Sequence, residues 1–353
     1  MHLHRPLISV KKVLLSAVLA ATLSLGMAPA ALVYAAENTP AVVGAFPAPP
    51  RGNGAGKLVK WSLDSNKPLI GQFGAPKTPS GNSFYIAYDN STNRLYVPTV
   101  AGITYILDAK TLAPLSSFAT IAGGRVARVS PDGKSLLVLS GMELAIYSLA
   151  NNKQLFTAPV GGNALAISND ARFVYVGGNM SKNVTEVSLE SAKITRTFPI
   201  FGSGDLVMAN SKLFSANIKT GVMSVLDPAT SKIVNITTDE VDPAFSYRKI
   251  GAASAGFMQI DASPDQKYVY AVGFSGNILK FATSDASYVG KISIKAAPTG
   301  PNKLSGFTLV NNGTQAVVTI ENRKETALVR MSDGKILKFL AGTASNRWVS
   351  LGS

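Results

Sequence analysis

The stretch from 130 to 153 decides the fold of this chain. It begins Ser130-Pro-Asp-Gly-Lys-Ser-Leu-Leu-Val138, a polar turn followed by residues that favour extended backbone. It ends Tyr147-Ser-Leu-Ala-Asn-Asn-Lys153, a second polar turn that follows a second apolar run. Pro-Asp-Gly and Asn-Asn are turn sequences, and short apolar runs beside such turns predict antiparallel strands. The stretch therefore predicts two hairpins in tandem, which amount to four short strands.

Both halves of this unit recur along the chain. The second turn has seven copies, with equivalent positions at Leu63, Leu107, Leu149, Leu189, Leu226, Ala282 and Met331. The first turn has further copies at Asp89–Val97, Ser168–Val176, Asn210–Phe214, Ser263–Tyr270 and Asn311–Val318. A four-stranded repeat of about 40–45 residues is typical of a propeller blade. The sequence therefore predicts an all-β fold, a seven-bladed β-propeller with four-stranded antiparallel blades.

The two ends of the chain are predicted to share one blade. Each outer hairpin except one has a complete inner hairpin, and the missing inner strand is available at Asn346–Leu351. Such sharing closes the ring and removes free sheet edges. It would also bring together Trp61 and Trp348, the two tryptophans of the chain. We assign 56–353 to the propeller and 36–55, which is rich in proline and glycine, to a flexible lead-in.

Residues 1–35 have the layout of a secretory signal peptide. Basic residues precede an apolar run over 13–25, and Val33-Tyr34-Ala35 offers a cleavage site. An uncleaved membrane anchor is the alternative, although Gly26 and Pro29 interrupt the apolar run. We therefore expect a periplasmic or secreted protein without stable membrane insertion after cleavage.

The mature chain is expected to contain neither histidine nor cysteine. His2 and His4 lie in the predicted signal peptide, and the sequence has no cysteine. This excludes disulfides, attached c-type haem, iron–sulfur clusters, zinc sites with His or Cys ligands and imidazole-dependent catalytic triads. The acidic cluster around Asp239 lacks the ligand spacing of a calcium loop. We predict no cofactor, no metal site and no catalytic residue.

The chain is strongly basic, with a formal net charge of +14. Arg5, Lys11 and Lys12 belong to the predicted signal peptide, so the mature chain keeps +11. Export argues against nucleic acid as a partner, and the basic residues are scattered rather than clustered. A protein partner or an anionic ligand of the cell envelope suits this charge. A general role of the charge in solubility is the alternative.

Two of the quoted motifs resemble a known family of repeats. Ser130-Pro-Asp-Gly-Lys-Ser-Leu-Leu-Val138 and Tyr105-Ile-Leu-Asp-Ala-Lys-Thr111 are similar to the YVTN-type β-propeller repeats of bacterial surface and periplasmic proteins. The resemblance extends from about Gly56 to the C-terminus. It implies a propeller fold and relatives such as surface-layer proteins, lactonase-like enzymes and the heavy chains of periplasmic amine dehydrogenases. Because these motifs are structural, they specify the fold rather than the function.

Two blade-to-blade connections, Phe73–Ser83 and Asp239–Gly256, are longer than the others. Such connections surround the mouth of a propeller channel, and long loops often carry function. Aromatic and basic residues in the second connection suit an interface. We predict a ligand- or partner-binding site made of Lys77, Arg125, Asn163, Asp205, Phe245, Tyr247, Arg248, Lys249 and Asp261. Further residues of the same rim are Arg128, Gln259 and Lys303.

These features predict an exported, non-catalytic binding or scaffold propeller whose ligand or partner docks at the channel mouth. One alternative is a propeller enzyme of the lactonase or lyase type that needs neither histidine nor metal, with Asp205 or Asp261 as its base. The other is the heavy chain of a periplasmic amine dehydrogenase, which the resemblance implies.

Overall fold

Seven four-stranded antiparallel sheets make up the structure. The computed structural model describes residues 40–46, 56–73, 85–237, 259–294, 302–340, 345 and 347–352. Within these residues the sheets follow one another as the blades of a propeller, which confirms the predicted fold class. A short 3₁₀ turn spans Glu321–Arg323. No helix of the described part has the length and apolarity needed to cross a membrane.

The strands are numbered in chain order, and the blades are numbered I to VII. The first three strands, which belong to blade VII, are β1 (Ala41–Phe46), β2 (Gly56–Ser62) and β3 (Leu69–Phe73). Blade I has β4 (Ala87–Asp89), β5 (Arg94–Pro98), β6 (Ile103–Asp108) and β7 (Pro114–Ala119). Blade II has β8 (Val126–Val129), β9 (Ser135–Leu139), β10 (Leu144–Ser148) and β11 (Gln154–Ala158). Blade III has β12 (Ala164–Ile167), β13 (Phe173–Gly177), β14 (Val184–Ser188) and β15 (Ile194–Phe198).

The second half of the ring follows the same plan. Blade IV has β16 (Ser203–Ala209), β17 (Lys212–Asn217), β18 (Val222–Asp227) and β19 (Lys232–Thr237). Blade V has β20 (Ile260–Ala262), β21 (Tyr268–Val272), β22 (Asn277–Ala282) and β23 (Tyr288–Ser293). Blade VI has β24 (Leu304–Val310), β25 (Gln315–Ile320), β26 (Glu325–Arg330) and β27 (Ile336–Leu340), and β28 (Trp348–Leu351) returns to blade VII.

Blade VII combines both ends of the chain, as the sequence predicts. Its strand order is β28-β1-β2-β3, and β1 pairs antiparallel with both β28 and β2. Trp61 and Trp348 stack in this blade, with their ring centroids 5.0 Å apart. One expectation needs correction, because Ala41–Phe46 lies in the range assigned to a flexible lead-in and instead forms the second strand. Ala41 to Ala45 are buried on both faces of the sheet, so this strand lacks the alternation that marks a half-exposed strand.

The hydrophobic core lies between neighbouring blades. Phe214 of blade IV packs in one cluster with Phe281 of blade V, and Trp61 of blade VII packs in another with Val317 of blade VI. Equivalent clusters fill the remaining five blade interfaces around the ring. Each blade therefore depends on both of its neighbours, and the ring must close to bury its apolar surface.

The propeller has two distinct faces. The innermost strands of blades I to VII are β4, β8, β12, β16, β20, β24 and β28. The connection face is the end at which these strands begin, and it carries the blade-to-blade connections and the turns between second and third strands. The turn face is the opposite end, and it carries the turns between first and second and between third and fourth strands.

Candidate functional site

The residues predicted to bind a ligand or partner fall into three groups. Those in the two long connections lie outside the described residues, namely Lys77, Phe245, Tyr247, Arg248 and Lys249. Arg125 and Asn163 lie on the connection face, immediately before β8 and β12. Asp205 and Asp261 lie deeper, on the inner strands β16 and β20. The four described residues therefore border the central channel at different depths.

The connection face of blades II, III and IV exposes three large apolar side chains. Met142 is 86% exposed, Met180 80% and Phe201 65%, the three highest values among the large apolar residues of the described part. Met142 and Met180 lie in the turns between second and third strands of blades II and III, and Phe201 lies in the connection to blade IV. Large apolar side chains exposed together on one face are a feature of interaction sites on protein surfaces.

Hydrogen bonds hold these turns and connections against one another. The backbone N–H of Gly202 donates to the carbonyl oxygen of Ser181 over 2.9 Å. The side-chain amide of Asn217 donates to the carbonyl oxygen of Phe201, also over 2.9 Å. Phe201 is thus fixed between the turn that carries Met180 and the next turn of blade IV.

The same type of bonding continues from blade II to blade III. The N–H of Gly162 donates to the carbonyl oxygen of Ser140, in the turn that carries Met142. Asn163, one of the predicted site residues, accepts a 2.9 Å hydrogen bond on Oδ1 from the backbone N–H of Asn179. Asn163 therefore positions the turn that presents Met180.

Basic residues occur in the turns and connections of the connection face, as do these apolar side chains. Arg125, Lys182 and Lys219 are exposed on blades II, III and IV. The Lys219 ammonium lies 3.2 Å from the Met180 sulfur. In the described turns and connections that carry these basic and apolar residues, the one acidic residue is Glu143, next to Met142. We call this surface the connection-face patch, and it consists of Arg125, Met142, Met180, Lys182, Phe201 and Lys219.

The first–second turns of the turn face differ because their charges are compensated locally. These turns contain acidic and basic residues two positions apart that form ion pairs. These pairs are Asp132–Lys134 at 3.8 Å, Asp170–Arg172 at 2.6 Å and Asp265–Lys267 at 3.5 Å. An anionic partner is therefore attracted more strongly to the connection-face patch than to these turns.

A hydrogen bond crosses the central channel. The hydroxyl of Tyr85 on blade I donates to Oδ2 of Asp205 on blade IV over 2.5 Å. Blades I and IV are three apart in a ring of seven, as far apart as two blades can be. The Ile260 N–H donates to the same carboxylate oxygen over 2.8 Å. Arg347, the residue before strand β28, donates to the Gly204 carbonyl oxygen over 3.3 Å. Its guanidinium lies 4.8 Å from the Tyr85 ring centroid.

Gln259 completes this arrangement. Its Oε1 accepts hydrogen bonds from the N–H groups of Phe307 and Trp348, both at 2.9 Å. Its Nε2 donates to the Trp348 carbonyl oxygen at 2.8 Å. Blades V, VI and VII are thereby joined through one side chain. We call Tyr85, Asp205, Gln259 and Arg347 the cross-channel layer.

Burial keeps the phenol of this layer in its donor form. Desolvation raises the pKa of Tyr85 well above its ordinary value, and the neighbouring Asp205 carboxylate raises it further, against the lowering effects of Arg347 and Arg128. Tyr85 therefore remains protonated at physiological pH and keeps its hydrogen bond to Asp205.

A cavity of about 530 Å³ lies between the cross-channel layer and the turn face. The inner strands of all seven blades contribute to its walls. Pro131, Asn169 and Pro264, from turns of the turn face, line its outer part. Two half-buried charged residues, Arg128 and Asp261, line its interior. We call this cavity the chamber.

Asp261 is the accessible carboxylate of the channel. Its Oδ2 accepts hydrogen bonds from the Leu309 N–H at 2.9 Å and the Thr308 hydroxyl at 3.1 Å, and its Oδ1 accepts one from the Ala262 N–H at 2.9 Å. Desolvation raises the pKa of Asp261 to about 6, opposed by these hydrogen bonds and assisted by the Asp205 charge. Asp205 itself is buried and already accepts bonds from three donors, so Asp261 is the better placed of the two carboxylates considered as a base.

Several residues of these sites are not apparent from the sequence. Tyr85 belongs to no repeat motif, and Arg347 lies in the predicted closing strand with no signal for its side-chain role; ring closure brings both residues to the channel. Met142 and Met180 carry a local signal, because a large apolar residue at the tip of a polar turn has no core to fill. No group of three or more His, Cys, Asp or Glu residues suited to a metal occurs within the described residues.

The fold and channel define this chain as a seven-bladed β-propeller. No protein-family model matches the sequence, and no curated protein matches it. Among solved structures it is similar to hydrazine synthase from Kuenenia stuttgartiensis, with 14% identity and a TM-score of 0.59 over 72% of this chain and 77% of that one. It is also similar to a functionally unknown protein from Desulfotomaculum acetoxidans, with 13% identity and a TM-score of 0.65 over 88% of this chain and 98% of that one. At these identities the similarity shows the fold alone.

Proposed function

We propose that this chain is an exported, non-catalytic binding or scaffold propeller of the cell envelope that docks an anionic lipid surface with its connection-face patch. The signal peptide predicted over 1–35 and the mature charge of +11 support this compartment and this partner. The resemblance to YVTN-type repeats of bacterial surface and periplasmic proteins supports it as well. Lys77 and Tyr247, in the two long connections, are proposed members of the same site.

The observation that carries the proposal is the composition of the patch. Three highly exposed apolar side chains occur beside three exposed cations on consecutive blades. Apolar side chains can enter the headgroup region of a bilayer, while basic residues are attracted to anionic lipids. Each basic residue near such a surface contributes about 1 kcal/mol. The hydrogen-bonded turns present these groups in fixed positions, so little conformational entropy is lost on docking.

Charge reversal on one face, with a matched control on the other, tests the proposal. The test variant carries Arg125→Glu, Lys182→Glu and Lys219→Glu. The control carries Lys110→Glu, Lys153→Glu and Lys193→Glu, which are exposed on the turn face of blades I, II and III. Both variants lose the same net charge, so the comparison isolates position.

The assay is cosedimentation of the mature protein with vesicles of phosphatidylglycerol and phosphatidylcholine, compared with pure phosphatidylcholine. Loss of three cations at about 1 kcal/mol each predicts that the test variant binds anionic vesicles at least tenfold more weakly than wild type. The control variant should lose less than threefold. Equal loss in both variants, or no preference of the wild type for anionic vesicles, would contradict the proposal.

A further inference from the structure

Two charged side chains lie on opposite walls of the chamber. Arg128 belongs to β8 of blade II and Asp261 to β20 of blade V, three blades apart in the ring of seven. Both are half-buried and line the cavity. Within the described residues neither of them forms a salt bridge. Charges taken out of bulk water without an ionic partner are costly, so such residues are candidates for binding a ligand of opposite charge.

Both groups retain hydrogen-bonding capacity. The Arg128 guanidinium lies 3.7 Å from the centroid of the Tyr85 ring, which fixes its plane against the cross-channel layer. One of its nitrogens donates to the Ala127 carbonyl oxygen at 3.1 Å, and an arginine has five N–H groups in all. Asp261 Oδ1 accepts one hydrogen bond, whereas a carboxylate oxygen can accept two.

At the level of the two charges, the walls of the chamber are mainly apolar. At the position equivalent to Arg128 and Asp261, the neighbouring inner strands carry Ala87, Ala166, Val207 and Val349, and Thr308 lies beside Asp261. A cavity of 530 Å³ whose walls combine apolar surface with polar groups has the character of a small-molecule site. Asp205 shows the contrasting structural role, because its carboxylate is buried and satisfied by three donors from the protein.

We infer that the chamber binds a small zwitterion, with its carboxylate on Arg128, its amino group on Asp261 and its aliphatic middle against the two valines. A planar guanidinium matches a carboxylate with two parallel hydrogen bonds. An ammonium group can donate to Asp261 Oδ1 and to the Thr308 hydroxyl oxygen. Such a ligand would enter from the turn face, independently of the connection-face patch.

A length series of ω-amino acids tests this inference. Isothermal titration calorimetry at pH 7.5 would measure binding of 4-aminobutanoate, 6-aminohexanoate and 8-aminooctanoate to the full mature protein. Hexanoate and hexylamine serve as probes that each lack one charge. We expect one length to bind at least tenfold more tightly than either single-charge probe, because only the zwitterion engages both walls.

Variants then assign the two ends of the ligand. Arg128→Gln should weaken the best zwitterion and hexanoate at least tenfold but leave hexylamine unchanged, and Asp261→Asn should do the reverse for the two single-charge probes. Arg128→Lys should restore part of the carboxylate binding, which a purely structural role of Arg128 would not produce. Arg172→Gln and Asp265→Asn, on the same face but outside the chamber, should have no effect. Absence of binding by every member of the series, or binding insensitive to both chamber variants, would overturn the inference.

Discussion

Replacement of Gln259 by alanine is expected to weaken the closed ring strongly. Gln259 is 4% exposed and satisfies three buried backbone groups, the N–H groups of Phe307 and Trp348 and the carbonyl of Trp348. Each buried group left without a partner costs about 1–3 kcal/mol. Because water can enter part of the vacated space, we expect Gln259→Ala to lower the free energy of unfolding by about 3–5 kcal/mol.

A charged isostere separates hydrogen bonding from volume. In Gln259→Glu the neutral carboxyl can still accept from the two N–H groups and donate to the Trp348 carbonyl, whereas the carboxylate cannot donate. Burial therefore raises the pKa of the introduced carboxyl above its unfolded value. The stability that the neutral form provides is fully present below the unfolded pKa and is lost as the pH rises through the folded pKa. The variant should thus approach wild type at pH 4.5 and fall below it at pH 8.

Equilibrium unfolding in urea is the assay. Trp61 and Trp348 are the only tryptophans of the chain and stack in blade VII, so their fluorescence reports on ring closure directly. Gln266→Ala is the matched control, since Gln266 is an exposed glutamine that accepts hydrogen bonds from Asn169 and Asn210. A loss below 1 kcal/mol for Gln259→Ala, or a loss equal to that of the control, would refute the role given to the cross-channel layer.

Three further perturbations test other parts of the structure. Trp348→Ala removes a buried ring that stacks on Trp61 and donates a hydrogen bond to Thr319 at 2.8 Å. Calorimetry should therefore show a free energy of unfolding lower by about 3–5 kcal/mol. A variant that melts like the wild type would argue against closure by blade VII. Arg196→Met leaves the buried Glu186 carboxylate without its ion pair. It should lower the free energy of unfolding by about 2–4 kcal/mol at pH 7, measured by urea unfolding. Desolvation raises the pKa of Glu186, but hydrogen bonds from Arg196, Thr195 and Tyr175 outweigh it and leave the pKa lowered. The stabilisation by Glu186 is therefore present above its unfolded pKa and is lost as the pH falls through its folded pKa. If the free energy of unfolding of Arg196→Met fell with decreasing pH as steeply as that of the wild type, this account would be contradicted. Asp261→Asn should gain stability relative to wild type as the pH rises from about 4 to about 6, because the pKa of Asp261 is raised to about 6 in the folded state. If the free energies of unfolding of the two proteins, measured in urea, changed in parallel over this pH range, the environment described for Asp261 would be contradicted.

The repeat could be predicted because its turns are stabilised locally. In Ser130, Ser168 and Ser263 the hydroxyl oxygen accepts a hydrogen bond from the N–H group five residues later, which closes the first–second turn. The residues that make such a turn are adjacent in sequence, so the pattern is readable. Strand β1 is not predicted from the sequence because one partner, β28, lies at the other end of the chain and no repeat motif connects β1 to its other partner, β2.

The sites were less predictable for a similar reason. Tyr85 and Asp205 are separated by 120 positions, and their hydrogen bond depends on the placement of blades I and IV on opposite sides of the ring. The sequence indicated that Asp205 and Asp261 border the channel, but not that one is sealed in the cross-channel layer while the other lines the chamber. A register shift between Ser203 and Asp205 contributes to this difference. Side-chain environment in a propeller channel is set by all seven blades together.

Hydrogen–deuterium exchange with and without anionic vesicles tests the proposed docking surface most directly. The proposal predicts slower amide exchange on vesicle binding in the turns and connections at 140–143, 178–183, 199–202 and 218–221, which form the connection face of blades II to IV. The turns of the opposite face at 130–134, 149–153 and 189–193 should exchange at unchanged rates. Protection confined to the turn face, or spread equally over both faces, would contradict docking through the connection-face patch.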